Sequence, residues 1–238
     1  MLYELKWDST FFNKKIGELK VSTKSLTQLE TILNSAQKNG FKYIICKIRS
    51  QQTSTIKLLE SSGFYLSDIG ITWAIEPNKF QYRNMNKNLN TRKSIKIAAE
   101  KDIPILKEMV KSLFLESRFY NDPFFSKREA DNLYQTWIEN SVKGNAADIV
   151  LHIIAKGFIV CKKLPLRTGE IVLIGVKKGL RGKGIGTILT EKAIKWFKTQ
   201  GVKLVTVRTQ LKNLNAMNFY AKLGFHVKEY DLIFAKIL

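Results

Sequence analysis

The chain has 238 residues, 45% of them hydrophobic, which is enough apolar mass for one large or two small packed domains and excludes a disordered chain. Its 40 Lys and Arg against 20 Asp and Glu give a net charge of +20, which favours anionic partners; the basic residues are scattered and no nucleic-acid module is recognisable, so nucleic acid is not expected among them. No apolar run reaches the roughly 18 residues of a membrane-spanning helix, and the opening from Met1 to Asp8 lacks a secretion signal, which predicts a soluble cytoplasmic protein with no membrane partner.

Cys46 and Cys161 lie in apolar, strand-like runs and read as free buried thiols. With only two histidines, His152 and His226, no metal-ligand spacing arises, and no metal is expected.

Along the chain, Leu26, Leu29, Leu33 and Ala36 recur at helical spacing over residues 26–39, and residues 40–49 are rich in the β-branched and aromatic types of a strand. A second helix ends at Gly63-Phe64. Residues 77–92 are dense in Asn and Lys, lack an apolar period and read as a linker between a unit at 1–90 and one at 93–238. The second unit reads as a strand at 94–99, a helix at 102–115 and a helix at 127–142. Strands at 148–155, 158–162 and 170–177 follow, the last two joined as a hairpin through the turn-rich 164–169 segment. A helix at 184–199, a strand at 203–209, a helix at 213–223 and a strand at 226–237 complete it. The alternation predicts the α/β class with a mixed (α+β) sheet.

The two units share a pattern. The spacing from Gly40 to Gly63-Phe64 equals that from Gly201 to Gly224-Phe225, with a helix before the first glycine, a strand after it and a helix ending at Gly-Phe. Lys42 and Lys203 fall in register. Where the second copy has Arg181, Gly184, Gly186 and Tyr220, the first has Lys20, Thr23, Ser25 and Leu59, so the first reads as a degenerate copy kept for structure or substrate binding.

Chemistry concentrates in the second copy. Arg181, Gly182, Lys183, Gly184, Ile185 and Gly186 run from a strand into a helix. Glycines there allow a tight turn and close approach of backbone to ligand, and the free N–H groups of a helix start attract a pyrophosphate. The run lacks the Lys-[Ser/Thr] of a P-loop and ends in Thr187 where a dinucleotide fingerprint requires a third glycine. A second motif runs Asn213-Leu-Asn-Ala216-Met-Asn-Phe219-Tyr220-Ala-Lys-Leu-Gly224-Phe225.

These two motifs, in this order, resemble the GNAT superfamily of N-acetyltransferases. The resemblance implies a GNAT acetyltransferase fold, preceded here by a degenerate GNAT-like domain, and acetyl-CoA as cosubstrate. It implies a V-shaped opening in which the strand carrying Ile174 and Val176 pairs with pantetheine, and the amides from Arg181 through Gly182, Lys183, Gly184 and Ile185 to Gly186 hold the pyrophosphate. Asn213, Ala216 and Tyr220 match residues on the pantetheine and sulfur side. Attack of an amine on a thioester needs a stabilised oxyanion, for which the Val176 N–H is a candidate, and a donor for the departing thiolate, Tyr220. Glu170 is a candidate base; a strand-end Glu paired with a surface lysine and a water chain are the alternatives.

Trp7-Asp-Ser-Thr-Phe-Phe12 and Ser117-Arg118-Phe-Tyr120-Asn-Asp122-Pro-Phe-Phe125, followed by Tyr134 and Trp137, are similar to the dTDP-fucosamine acetyltransferase group. That resemblance implies a small-molecule partner, a nucleotide-linked amino-deoxysugar destined for surface polysaccharide, and makes a homodimer plausible. Arg118 could take a diphosphate, and Tyr120, Phe124, Tyr134 or Trp137 a base or sugar ring. The alternatives are a core role for the aromatics, a surface pair of Arg118 with Asp122, acetylation of a peptide, polyamine or antibiotic amine, and a non-catalytic CoA-binding protein.

Overall fold

Ten strands form a single mixed sheet, seen in a computed structural model that describes residues 1–21, 25–49, 52–82, 94–111 and 113–238. In chain order the strands are β1 (Leu2–Glu4), β2 (Ile16–Leu19), β3 (Tyr43–Ile48), β4 (Tyr65–Ile75), β5 (Lys96–Ile97), β6 (Ile149–Ile153), β7 (Gly157–Leu164), β8 (Thr168–Val176), β9 (Leu204–Gln210) and β10 (His226–Ile237). The helices are α1 (Lys6–Phe12), α2 (Leu26–Lys38), α3 (Thr53–Ser61), α4 (Ile103–Val110), α5 (Arg118–Asn121), α6 (Lys127–Val142), α7 (Ile185–Thr199) and α8 (Leu214–Lys222).

Across the sheet the order is β1-β2-β3-β10-β4-β9-β8-β7-β6-β5. The C-terminal strand β10 is thus inserted between β3 and β4, antiparallel to both, and β4 in turn pairs antiparallel with β9. The repeat seen in the sequence is structural: β2-α2-β3-α3-β4 and β8-α7-β9-α8-β10 have the same connectivity, each with one parallel pair, β2 with β3 and β8 with β9. Gly40, Gly63, Gly201 and Gly224 all adopt positive φ (82°, 76°, 71° and 85°), the left-handed turn that ends each helix of the repeat and favours glycine. Each copy lends its last strand to the other, so the two sequence units share one sheet. Of the positions aligned with the second copy's motif, Thr23 lies outside the described residues; Leu59 is fully buried on α3 where Tyr220 lies on α8.

Side-chain alternation assigns the faces. On β3, Ile44, Cys46 and Ile48 pack with Leu29, Leu33, Leu58 and Leu59 of α2 and α3, while Tyr43 and Ile45 face Phe12, Phe119 and Leu133 of α1, α5 and α6. On β7, Ile159 and Cys161 pack under α7, and Phe158 and Val160 under α4 and α6. Both cysteines are free and buried, in separate parts of the core.

Several boundaries move. The 94–99 strand reduces to Lys96–Ile97 at the sheet edge. The 102–115 helix stops at Val110, because Lys111 leaves helical geometry (ψ 128°) and Phe114 turns to stack on Tyr134, ring centroids 4.6 Å apart. Helix α6 keeps its expected span, fixed by a capping box in which Ser126 accepts from the Glu129 N–H and Glu129 accepts from Ser126. The expected linker falls mostly outside the described residues. No helix among the described residues is long and apolar enough to cross a membrane.

Candidate active site

The parallel pair β8–β9 is joined only over Thr168–Ile171 and Leu204–Val207. Beyond that, β8 runs on to Val176 and β9 to Gln210 without pairing to each other. The cause lies in β8: Cys161 of β7 faces Ile171 and Val160 faces Leu173, so Val172 is an extra, bulged residue that bends the strand away. The result is a V-shaped gap whose unpaired backbone edges can accept a strand-like ligand.

Past the wide end of the gap lies the glycine loop. Gly182 and Gly184 have φ of 77° and 81°, and Gly184 forms the N-cap of α7 with no side chain capping the helix. The first N–H groups of a 15-residue helix therefore point outward, with exposed Arg181 and Lys183 beside them, an anion-binding arrangement. Arg181 Nε donates to the Val176 carbonyl at 3.3 Å, tying the loop to the end of β8. A Cβ on Gly186 would lie 3.2 Å from the Phe219 ring and 3.7 Å from Val176 Cγ2, so this glycine lets α7, α8 and the tip of β8 meet. Ile174 and Val176 are partly buried against the core under α7 and α8, and Ile185 is buried in it, which leaves its N–H as the group at the loop.

Helix α8 closes the same side. Asn213 is its N-cap, its side-chain oxygen accepting from the Ala216 N–H at 3.1 Å, and Ala216 is partly buried. Tyr220 is 3% exposed, with the rings of Phe219, Phe225 and Trp73 at 5.4, 5.7 and 6.4 Å. Burial raises its pKa well above the ordinary phenol value, so the hydroxyl stays protonated and able to donate. Trp73, from β4, has a buried indole N–H without a hydrogen-bond partner among the described residues.

On the opposite face of the sheet, between the two apolar clusters under α1 and α4 to α6, lies a polar stretch. Glu170 follows the alternation away from Ile171, at the closed end of the gap, with Lys162 opposite it on β7 and Thr206 on β9. Desolvation raises its pKa, opposed by the charges of Lys162 and Arg208. The lysine alternative is realised only as this field, with no Glu170 ion pair among the described residues. Arg208 lies flat over Gly70, where a Cβ would be 2.0 Å from its guanidinium, and pairs with Asp231 at 2.8 Å. Asp68 is buried on β4; desolvation raises its pKa, and Lys212, Arg118 and Arg208 lower it.

Of the expected acceptor residues, Arg118, Tyr120, Tyr134 and Trp137 come together as one cluster, while Phe124 stacks on Tyr43. Arg118 lies with its guanidinium carbon 4.3 Å from the Phe119 ring centroid, and its Nη1 is buried without a hydrogen-bond partner among the described residues. It does not pair with Asp122, whose carboxylate is taken by Tyr43, Tyr65 and Ser67. Tyr120 stacks on Tyr134 at 6.0 Å and donates to Asp131. Tyr134 is 4% exposed and ringed by Phe114, Tyr120 and Trp137, so its ring serves the core, and burial pushes its hydroxyl up to about 12. Trp137 is edge-on to Phe119 and 6.4 Å from Trp7, whose ring is 45% exposed. Asp68, Trp73 and Arg208 had no signal in the sequence; strand order alone brings them here. Among the described residues no group of three His, Cys, Asp or Glu could hold a metal ion.

A mixed sheet whose central parallel pair splits beside a glycine-rich helix start defines an acyltransferase fold. Residues 111–225 match the acetyltransferase (GNAT) family. The chain is 24% identical to a dTDP-fucosamine acetyltransferase of Escherichia coli over 94% of this chain and 92% of that one. It is 25% identical to the spore coat polysaccharide biosynthesis protein SpsD of Bacillus subtilis, over 96% and 80%. Half of the chain is 32% identical to streptothricin acetyltransferase A of Bacillus subtilis, covering 67% of it. A GCN5-related N-acetyltransferase from Sphaerobacter thermophilus superposes on 99% of this chain and 76% of its own with a TM-score of 0.64 at 16% identity, a likeness of fold. The chain belongs to the GNAT acetyltransferase family and is an acetyltransferase; that family uses acetyl-CoA.

Proposed function

We propose that this enzyme transfers the acetyl group of acetyl-CoA to the amino group of a nucleotide-linked amino-deoxysugar, a surface-polysaccharide precursor, by direct attack in a ternary complex. The observation that carries the reading is the Arg118 guanidinium, its Nη1 buried in an aromatic cluster without a hydrogen-bond partner among the described residues. A buried guanidinium nitrogen without an acceptor is costly, and a diphosphate would satisfy it. The two relatives matched over nearly the whole chain are named for acetylation of a nucleotide sugar and for polysaccharide synthesis. The antibiotic acetyltransferase matches only half of the chain.

In this reading the 1–90 part is a degenerate GNAT-like unit and the 93–238 part is catalytic. Acetyl-CoA enters the gap between β8 and β9, its pantetheine beside Ile174 and Val176 and near Asn213 and Ala216. Its pyrophosphate lies on the amides from Arg181, Gly182, Lys183 and Gly184 to Ile185 and Gly186. The sugar amine comes from the opposite face. Its lone pair attacks the thioester carbonyl, a C–N bond forms, and the Val176 N–H stabilises the oxyanion. As the C–S bond breaks, Tyr220 donates to the leaving thiolate, and the ammonium proton leaves through a water chain towards Glu170, whose raised pKa suits a base. Arg118, Tyr120 and Trp137 hold the acceptor, with Tyr134 packed behind them. A panel of nucleotide amino sugars, polyamines, peptide N-termini and streptothricin-type antibiotics, assayed for CoA thiol release, tests this. Turnover confined to a non-nucleotide amine would refute it.

A further inference from the structure

We infer that Asp122 is a positioning residue of the acceptor site, and that the N-terminal half acts on catalysis by gripping it. This rests on the reading above, in which Arg118 meets the acceptor. Arg118 opens α5 and Asp122 caps it, one turn later, with the Asp122 N–H donating to the Arg118 carbonyl at 2.7 Å. A four-residue helix cannot hold itself in place, since nucleating one turn is unfavourable. Its position must come from outside: α6 packs on Phe119 and Tyr120 through Trp137 and Tyr134, and the bonds that hold the Asp122 end come from the other half of the chain.

Asp122 is 3% exposed. Its Oδ2 accepts from the hydroxyls of Tyr43 on β3 and Ser67 on β4, both at 2.5 Å. Its Oδ1 accepts from the Tyr65 hydroxyl at 2.8 Å and from the Phe124 N–H at 3.0 Å. Four donors replace the water that a buried carboxylate loses. Burial raises the pKa of both tyrosines, so they remain donors throughout the working range of pH. Two further contacts extend the grip: Tyr43 stacks on Phe124 at 4.3 Å, and Lys14 bonds the Phe124 carbonyl at 3.4 Å and Glu129, in the cap of α6, at 2.7 Å. Arg118 opens the same helical turn whose end this hub holds, and its charge lowers the pKa of Tyr43 and Tyr65 against the effect of burial. No CoA motif is needed for this task, which accounts for a first copy that has lost the glycine loop and kept its strands.

The test compares full-length wild type with Tyr65→Phe, Tyr43→Phe, the double variant and Asp122→Asn. The probes are thymidine and uridine diphosphate and acetyl-CoA, titrated by calorimetry, together with amide hydrogen exchange over residues 117–125. Losing a donor to the carboxylate should weaken nucleoside diphosphate binding about five- to tenfold per tyrosine, with faster exchange at 117–125 and unchanged acetyl-CoA affinity. Unchanged diphosphate affinity despite faster exchange, or an equal loss of acetyl-CoA affinity, overturns the inference. Tyr65→Phe, at a half-buried ring, keeps the test open should the double variant misfold. If wild type binds neither diphosphate, the sugar-nucleotide reading fails by itself. The grip is then judged on the amine that the panel identifies: the tyrosine variants must raise its KM and spare that of acetyl-CoA.

Discussion

Tyr220→Phe separates chemistry from packing. The ring is held by Phe219, Phe225 and Trp73 at 5.4 to 6.4 Å, and all of those contacts survive the change, so only the hydroxyl is lost. Stability should change by less than about 1 kcal/mol, a melting shift of at most roughly 4 °C for a chain of this size. Because burial keeps the phenol protonated, it is in the donor form at every working pH and contributes no alkaline limb of its own. A hydrogen-bonded proton for the departing thiolate is worth about 100-fold in kcat, the low end for general-acid help, because a thiolate leaves readily unaided; that is about 2.7 kcal/mol of barrier. Single-turnover measurement of CoA thiol release, with saturating acetyl-CoA and acceptor, isolates the step. A folded variant with the wild-type single-turnover rate would refute the role and leave Tyr220 as a core aromatic.

Arg181→Glu with Lys183→Glu should weaken acetyl-CoA binding at least about tenfold, while the melting temperature holds, since both side chains are exposed; calorimetry reads the difference. Gly184→Ala places a side chain at φ 81° and should lose about 1–2 kcal/mol of stability, seen by thermal melt, in addition to any loss at the ligand. For Glu170 the raised pKa sets two signs. The folded state binds this proton more tightly than the unfolded one, so the group favours folding at low pH and that contribution is lost as pH rises through its folded pKa. The base form is the ionised one, so kcat/KM should fall with decreasing pH, starting above the range of an exposed carboxylate, and Glu170→Gln should remove that limb. A fragment of residues 94–238 should fail to fold, because β9 and β10 would each lose β4, the strand that separates them; a soluble fragment with a cooperative melt would contradict this.

Much of this was legible in the chain because local chemistry carried it. The glycines at 182 and 184 are dictated by positive φ, the 213 cap by a single side-chain bond, and the repeat by four glycines that end helices. The hairpin of β7 and β8 followed from its turn residues. What could not be read was non-local. Residues 65–75 show the alternation of a strand, interrupted at Gly70, yet nothing in them says that β9 and β10 will flank them. The hub at Asp122 needs three hydroxyls from two strands that lie far away in sequence. The bulge at Val172, which opens the gap, depends on a register with β7 that the pattern of β8 leaves free.

The exchange of strands β4 and β10 also orders events in time. As the chain leaves the ribosome, β3 and β4 emerge early, and the strand that belongs between them is the last to be made. Until then β3 exposes an edge that pairs with residues 232–237, and β4 exposes the edge that β10 will take, its other edge waiting only for β9. Contacts this distant in sequence are slow to form, because the loop must close before they reward it. Unpaired edges in a waiting chain are sticky, so biogenesis carries an aggregation hazard that the finished sheet no longer shows. The strand β10 acts as a keystone: it joins β3 to β4 and so links both copies of the repeat in one event, and a chain stopped short of it leaves the two halves of the sheet unjoined.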